Sequence, residues 1–154
     1  MSSTSTDKEK IKRLIVATFK GVSLKDGIGL WQAQAIDDYE VKETQQQARA
    51  RDELEEWAKI PGEDLVYCYS SLSFFDAKGM RFHLPAYMLR ELEQGDCESV
   101  VFHLSQFADD PKFSLLNSQQ KYAVRVFLEW CLTQDDYHYE RPHIERALEK
   151  VWRL

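Results

Sequence analysis

Residues 71–88 read SLSFFDAKGMRFHLPAYM, and the architecture of the chain turns on how this stretch folds. Asp76-Ala77-Lys78-Gly79 has the residues of a four-residue turn, with Asp favoured at its first position and Gly at its last. After it, Met80, Phe82 and Leu84 alternate with Arg81 and His83. A period of two is the signature of a strand that turns one face to a core. Leu72 to Phe75 supply a partner strand, so the stretch predicts a small β hairpin. Pro85 suits the first turn of a helix and pushes Leu84 to an extended conformation. That helix runs through PAYMLRELEQ to a stop at Gly95. On this reading Met80, Phe82 and Leu84 pack against the helix bearing Trp130, while Arg81 and His83 share the free face.

Outward from this stretch the chain reads as helical. A polar lead-in, residues 1–5, is expected to fray. Thr6 and Glu9 form a capping-box pattern. Ile11, Leu14, Ile15, Thr18 and Phe19 then lie on one helical stripe that ends at Gly21. LWQAQAIDDY, from Leu30 to Tyr39, is a short helix. VKETQQQARARDELEEW is a polar surface helix broken near Asp52, and Pro61-Gly62 punctuates it. ESVVFHLSQF fits a strand or a helix equally well. NSQQKYAVRVFLEWCLTQ is the clearest element. Asn117 or Ser118 caps it, and its few polar residues, Lys121, Arg125, Glu129 and Thr133, recur every four positions. A helix with a single polar stripe must be covered on most sides. Pro142 opens a last helix with Ile144, Leu148, Val151 and Trp152 on one side. The resulting expectation is an α+β fold: one mainly helical domain over residues 6–154 with a small β hairpin.

The 154 residues suffice for one domain with its own core. The formal net charge of −6 disfavours binding to a phosphate backbone, which needs clustered Lys and Arg. No apolar run approaches the roughly 20 residues that span a bilayer, and the N-terminus lacks an apolar signal core. The three cysteines, Cys68, Cys97 and Cys131, form no C-x-x-C pair, and their odd number points to a reducing compartment. These features predict a cytoplasmic protein with no nucleic-acid or membrane partner.

Little in the sequence carries catalytic chemistry. The four histidines, His83, His103, His138 and His143, have no metal-binding spacing, so no metal or other cofactor is expected. Cys131 lies in the most apolar helix and reads as inert. Cys68 and Cys97 look more accessible, but a reactive thiolate needs a neighbouring cation or helix N-terminus. The glycines of GVSLKDGIG fit no phosphate-binding loop, and SSLS fits no nucleophile elbow. Asp37 and Asp38 end a helix where negative charge is disfavoured. With Tyr39 they make a compact acidic-aromatic cluster able to take a partner's arginine. Arg81, sharing its face with His83, could pair with that cluster or anchor a carboxylate.

The order LWQAQAIDDY, then SLSFFDAKGMRFHLPAYM, then FSLLNSQQKYAVRVFLEW, then a final helix ending in Trp152, resembles a family of uncharacterised, mostly bacterial proteins with a domain of unknown function. The likeness spans the chain from about Ile11 to Trp152. It implies no activity. It does imply that Asp37, Tyr39, Arg81, Pro85 and Tyr87 are recurring positions of that family. Together these readings favour a non-catalytic protein-interaction module of the inhibitor or immunity-protein kind. Its binding residues would be drawn from Asp37, Asp38, Tyr39, Arg81, His83 and Tyr87, and its partner would be a protein. The alternative is a hydrolase or transferase with a site around Arg81, His83 and a carboxylate.

Overall fold

The computed structural model describes residues 3–153. Its helical segments are eight α-helices and four short 3-10 turns, and there is no strand among the described residues. The fold is therefore all-α, and the expected hairpin does not form. Residues 77–94 are one helix, α5 (Ala77–Gln94). Asp76 is its N-cap: the carboxylate accepts from the Gly79 N–H at 2.8 Å and also from the Ile28 N–H at 2.9 Å. The D-A-K-G sequence is thus a helix start, not a hairpin turn. Gly79 is required there for closeness, since a Cβ would lie 2.5 Å from the Ile28 carbonyl oxygen.

The period-two pattern misled because α5 is covered on nearly every side. Met80, Phe82, His83, Leu84, Pro85, Ala86, Tyr87 and Met88 are all buried, so burial along this run carries no helical period that sequence could reveal. Pro85 lies inside α5 instead of opening it, which leaves the Arg81 carbonyl without its intrahelical N–H donor. Gly95 ends the helix in the left-handed conformation, φ 69°, as its sequence position predicts.

Around α5 the chain wraps α1 (Ser3–Thr18), α2 (Leu30–Asp37), α3 (Lys42–Arg49), α4 (Gly62–Tyr67), α6 (Ser99–Gln106), α7 (Ser118–Leu132) and α8 (Arg141–Lys150). Helix α1 begins before Thr6, so Thr6 does not cap it. Of the expected frayed lead-in, residues 1–2 lie outside the described residues, and 3–5 belong to α1. Ile11, Ile15 and Phe19 bury its inner stripe, and α1 packs on both α5 and α7. The ambiguous run after Cys97 is the helix α6, which packs against α8. Asn117 caps α7 in a capping box with Gln120, and Arg125 and Glu129 pair along its polar stripe at 3.6 Å.

Phe82 is fully buried, but Trp130 connects with α5 through an intermediary. Its indole packs at 6.1 Å on Tyr137, and the Tyr137 hydroxyl donates to the carboxylate of Glu91 on α5. Glu91 is buried and also accepts from the Cys97 N–H at 2.8 Å. Its two oxygens are occupied, which offsets the cost of removing a carboxyl group from water. Two further indoles act as polar pins, Trp57 donating to the Phe19 carbonyl at 2.9 Å and Trp152 to that of Leu104 at 2.8 Å.

Candidate functional site

Helix α2 positions two candidate regions, one at each end. At its C-terminus the Tyr39 N–H bonds the Ile36 carbonyl at 3.1 Å and the Glu40 N–H bonds that of Ala35 at 3.0 Å. This is a Schellman closure, which places one residue in the left-handed region. That residue is Tyr39, at φ 59°. Glycine is the ordinary occupant of such a position, and a bulky side chain there is an outlier. Tyr39 is also 95% exposed, so no packing holds the ring in place. Asp38 is the C-cap residue and accepts from Gln34 Nε2 at 3.2 Å.

Asp37 does not reach Arg81. It accepts from the Ser70 hydroxyl at 2.9 Å, while Ser71 donates to the Leu30 carbonyl at 2.9 Å. These bonds dock α2 on the 3-10 turn Tyr69–Ser73. Along the adjoining YCY segment the side chains alternate: Cys68 is fully buried, whereas Tyr67 and Tyr69 are exposed. The Tyr67 ring also packs 5.4 Å from that of Trp31. Tyr67 thus sits with Trp31 at the N-terminal end of α2, while Tyr69 opens the 3-10 turn whose Ser70 bonds Asp37; sequence reasoning passed over both exposed tyrosines. The only local trace of them was the small Cys68 between two large aromatics.

At the N-terminus of α2, Asp52 accepts from the Trp31 N–H at 2.7 Å and the Gln32 N–H at 3.2 Å. Gly29 admits this carboxylate, since a Cβ there would lie 2.1 Å from Asp52 Oδ2. Burial pushes the Asp52 carboxyl up from its ordinary value, against the two N–H bonds that favour its charge. Asp52 forms one wall of a cleft of about 230 Å³ that also includes Trp31, Arg51, Asp64 and His83. The Arg51 guanidinium lies 4.9 Å from the centre of the Trp31 ring, a cation–π distance.

His83 is not on a free polar face, as a strand would have placed it. It is fully buried, stacked on Phe75 at 4.3 Å with the rings 2° apart, and set edge-on to Phe82. Its Nδ1 lies 2.6 Å from the Gly79 carbonyl oxygen. A carbonyl only accepts, so Nδ1 carries the proton and Nε2 is an unprotonated acceptor. Burial lowers the His83 pKa to about 4, so the ring is neutral at pH 7. Tyr87, one turn further on, is also buried, and its hydroxyl donates to the Cys68 carbonyl at 2.7 Å. Arg81 is half-buried with its Nε unpartnered, and it is not among the residues lining the His83 cleft. The structure therefore does not bring the six sequence-chosen residues together: Asp37, Asp38 and Tyr39 form one surface, His83 and Tyr87 are buried, His83 at the lining of the Asp52 cleft, and Arg81 joins neither.

The cysteines expected to be accessible are not. Cys68 and Cys97 are buried, and burial pushes each thiol up to about 12, the reverse of what a nucleophile requires. Among the described residues no group of three or more His, Cys, Asp or Glu side chains is placed to hold a metal ion, and no helix is long and apolar enough to cross a membrane. Of the aromatic-acidic segment DDYHYE, Tyr137 is buried and Tyr139 is exposed.

Comparison with protein families matches residues 7–154 to the model of a family described as a family of unknown function, DUF6714. No curated protein and no solved structure matches the chain.

Proposed function

Taking as premise that this chain belongs to a family of unknown function, we propose that it is a non-catalytic binding module whose recognition surface is the C-terminal end of α2 with Tyr69, the neighbour of Ser70, beside it. The observation that carries this reading is Tyr39. Neither the core nor the backbone gains from a tyrosine at φ 59° and 95% exposure, and glycine would relieve the strain. Residues kept against local preference concentrate at functional positions. Tyrosine is also a preferred anchor in protein interfaces, because it brings large area with few rotatable bonds. Asp37 and Asp38 flank it and the chain carries a net charge of −6, so the partner this surface fits is a protein with an exposed basic patch. A protein that masks such a patch would act as an inhibitor or immunity protein does.

The alternative, a hydrolase or transferase using Arg81, His83 and a carboxylate, has less support. His83 and Asp52 line one cleft, but Arg81 does not, and a neutral histidine with a depressed pKa is a weak base. The test is affinity capture from the source cell with wild type, Tyr39→Gly, Asp38→Lys and Tyr139→Ala as baits. The expected result is a basic protein held by wild type and Tyr139→Ala, released by raised salt, and lost from the other two. Identical captured sets for all four baits, or capture insensitive to salt, would refute the reading.

A further inference from the structure

The His83 cleft has features that the Tyr39 surface does not explain. His83 Nε2 is buried and no protein group hydrogen-bonds it, although the ring's orientation is fixed by Nδ1 and by the stack on Phe75. An unsatisfied buried acceptor is destabilising, and such groups are uncommon enough to demand a reason. The stack on Phe75 and the Nδ1 bond to Gly79 account for the rest of the ring but not for Nε2. The imidazole belongs to the wall of a cleft of about 230 Å³ that also contains Asp52, Glu53 and Asp64, with Arg51 and Lys59 as its cations. The carboxylates outnumber the cations, and Arg51 is drawn onto the Trp31 ring at 4.9 Å.

We propose that this cleft binds a small protonated amine, with the ammonium group donating one hydrogen bond to His83 Nε2 and its charge facing the carboxylates of Asp52 and Asp64. Nε2 can only accept, so the ligand must bring a donor. Asp52 and Asp64 also accept when ionised, and an ammonium supplies three donors and a positive charge at one point. A carboxylate or phosphate ligand would meet a wall of acceptors. The volume fits a ligand of a few non-hydrogen atoms, or the tip of a longer one, and falls below the usual range for drug-sized ligands. The site is separate from the Tyr39 surface, so it can fail without that reading failing.

The test reads the ring itself. Full-length protein with ¹⁵N-labelled histidine is titrated with ethylammonium chloride, and with tetramethylammonium chloride as a cation of equal charge that has no N–H donor. The expected result is a saturable shift of the His83 Nε2 resonance with ethylammonium alone. Asp64→Asn, a change at the rim that leaves the core intact, should weaken binding about tenfold, the loss of one charge-assisted contact. A third arm uses blocked lysine, N-acetyl-lysine methylamide. Tighter binding than ethylammonium would make a protein lysine the source of the amine, and weaker binding would make it a free metabolite. A protonated Nε2, an unsaturable response, or an equal response to tetramethylammonium would each overturn the proposal and leave the acceptor to water alone.

Discussion

Replacing Tyr39 by glycine should make the protein more stable while removing its binding. The side chain is 95% exposed, so its deletion sacrifices almost no buried area. The backbone at φ 59° costs a non-glycine residue about 1–2 kcal/mol. Glycine escapes that strain but loses more freedom on folding, about 0.5–1 kcal/mol. The midpoints of the two ranges leave a net gain of about 0.75 kcal/mol. The Schellman bonds from Tyr39 N–H and Glu40 N–H are backbone bonds and survive the change. For a chain of this size the gain corresponds to a rise of about 1–4 °C in the melting midpoint. Calorimetry and urea denaturation of wild type, Tyr39→Gly and Tyr39→Ala measure it, with alanine keeping the strain and serving as the control. A glycine variant less stable than the alanine variant would refute the strain argument, because the backbone at φ 59° would then carry no penalty that glycine relieves.

Other outcomes follow from the same geometry. Gly79→Ala should destabilise the fold by about 1–3 kcal/mol, the size of an overpacking defect, because its Cβ would lie 2.5 Å from the Ile28 carbonyl oxygen; a urea midpoint equal to wild type would contradict this. The thiols of Cys68, Cys97 and Cys131 are all buried, so iodoacetamide at pH 8 should label none of them in the native state and all of them in urea, as mass spectrometry will show. His83 and His103 have pKa values lowered to about 4 by burial. An imidazole depressed in the fold adds stability that is complete above the ordinary value of about 6.5 and lost as pH falls toward 4. The urea midpoint should therefore drop across that window, and the drop should shrink in His83→Phe. Asp52 and Glu91, with raised carboxyl pKa values, act in the opposite direction, favouring the fold at the acid end, so the histidine variant is needed to isolate the term.

What could be read from sequence was what local chemistry determines. The cap at Asn117, the polar stripe of α7 and the glycine stop at Gly95 are each written within a few residues, and each is where expected. The hairpin failed because α5 has no uncovered face: with His83 buried and Arg81 half-buried, the polar letters that mark a strand's outer side marked nothing of the kind. Gly79 looked like a turn glycine because turns and close approaches call for the same residue; only the position of Ile28, 48 residues from its partner Asp76, distinguishes them. The same distance in sequence hid Asp52, which caps α2 from 21 residues away. Cys68 and Cys97 were misplaced because polar or aromatic neighbours in sequence say little about burial when alternate residues face opposite ways. The 37–39 cluster was legible as residues, but its left-handed backbone was not, since φ at Tyr39 is set by how α2 closes.

A helix as fully packed as α5 leaves little room for selection on function. A substitution at Phe82, Leu84 or Met88, each fully buried, is judged first by whether the core still closes. On the two readings proposed above, function resides where packing leaves the choice of residue open, and Tyr39 and His83 meet that condition in different ways. At Tyr39 the fold would be served better by glycine, which is why the proposed function sets the ring against a partner. At His83 a phenylalanine would keep the stack on Phe75 but lose the Nδ1 bond to the Gly79 carbonyl, so the second nitrogen alone is unused within the chain, and the proposed amine site gives it a partner. Tyr39 closes the C-terminal end of α2, and Asp52, which lines the cleft together with His83, caps its N-terminal end. Tyr39 and His83 each depart from local preference, neither departure is compensated by a contact within the chain, and that shared absence of compensation separates them from Glu91, an equally unusual buried group whose oxygens are all accounted for by Tyr137 and Cys97.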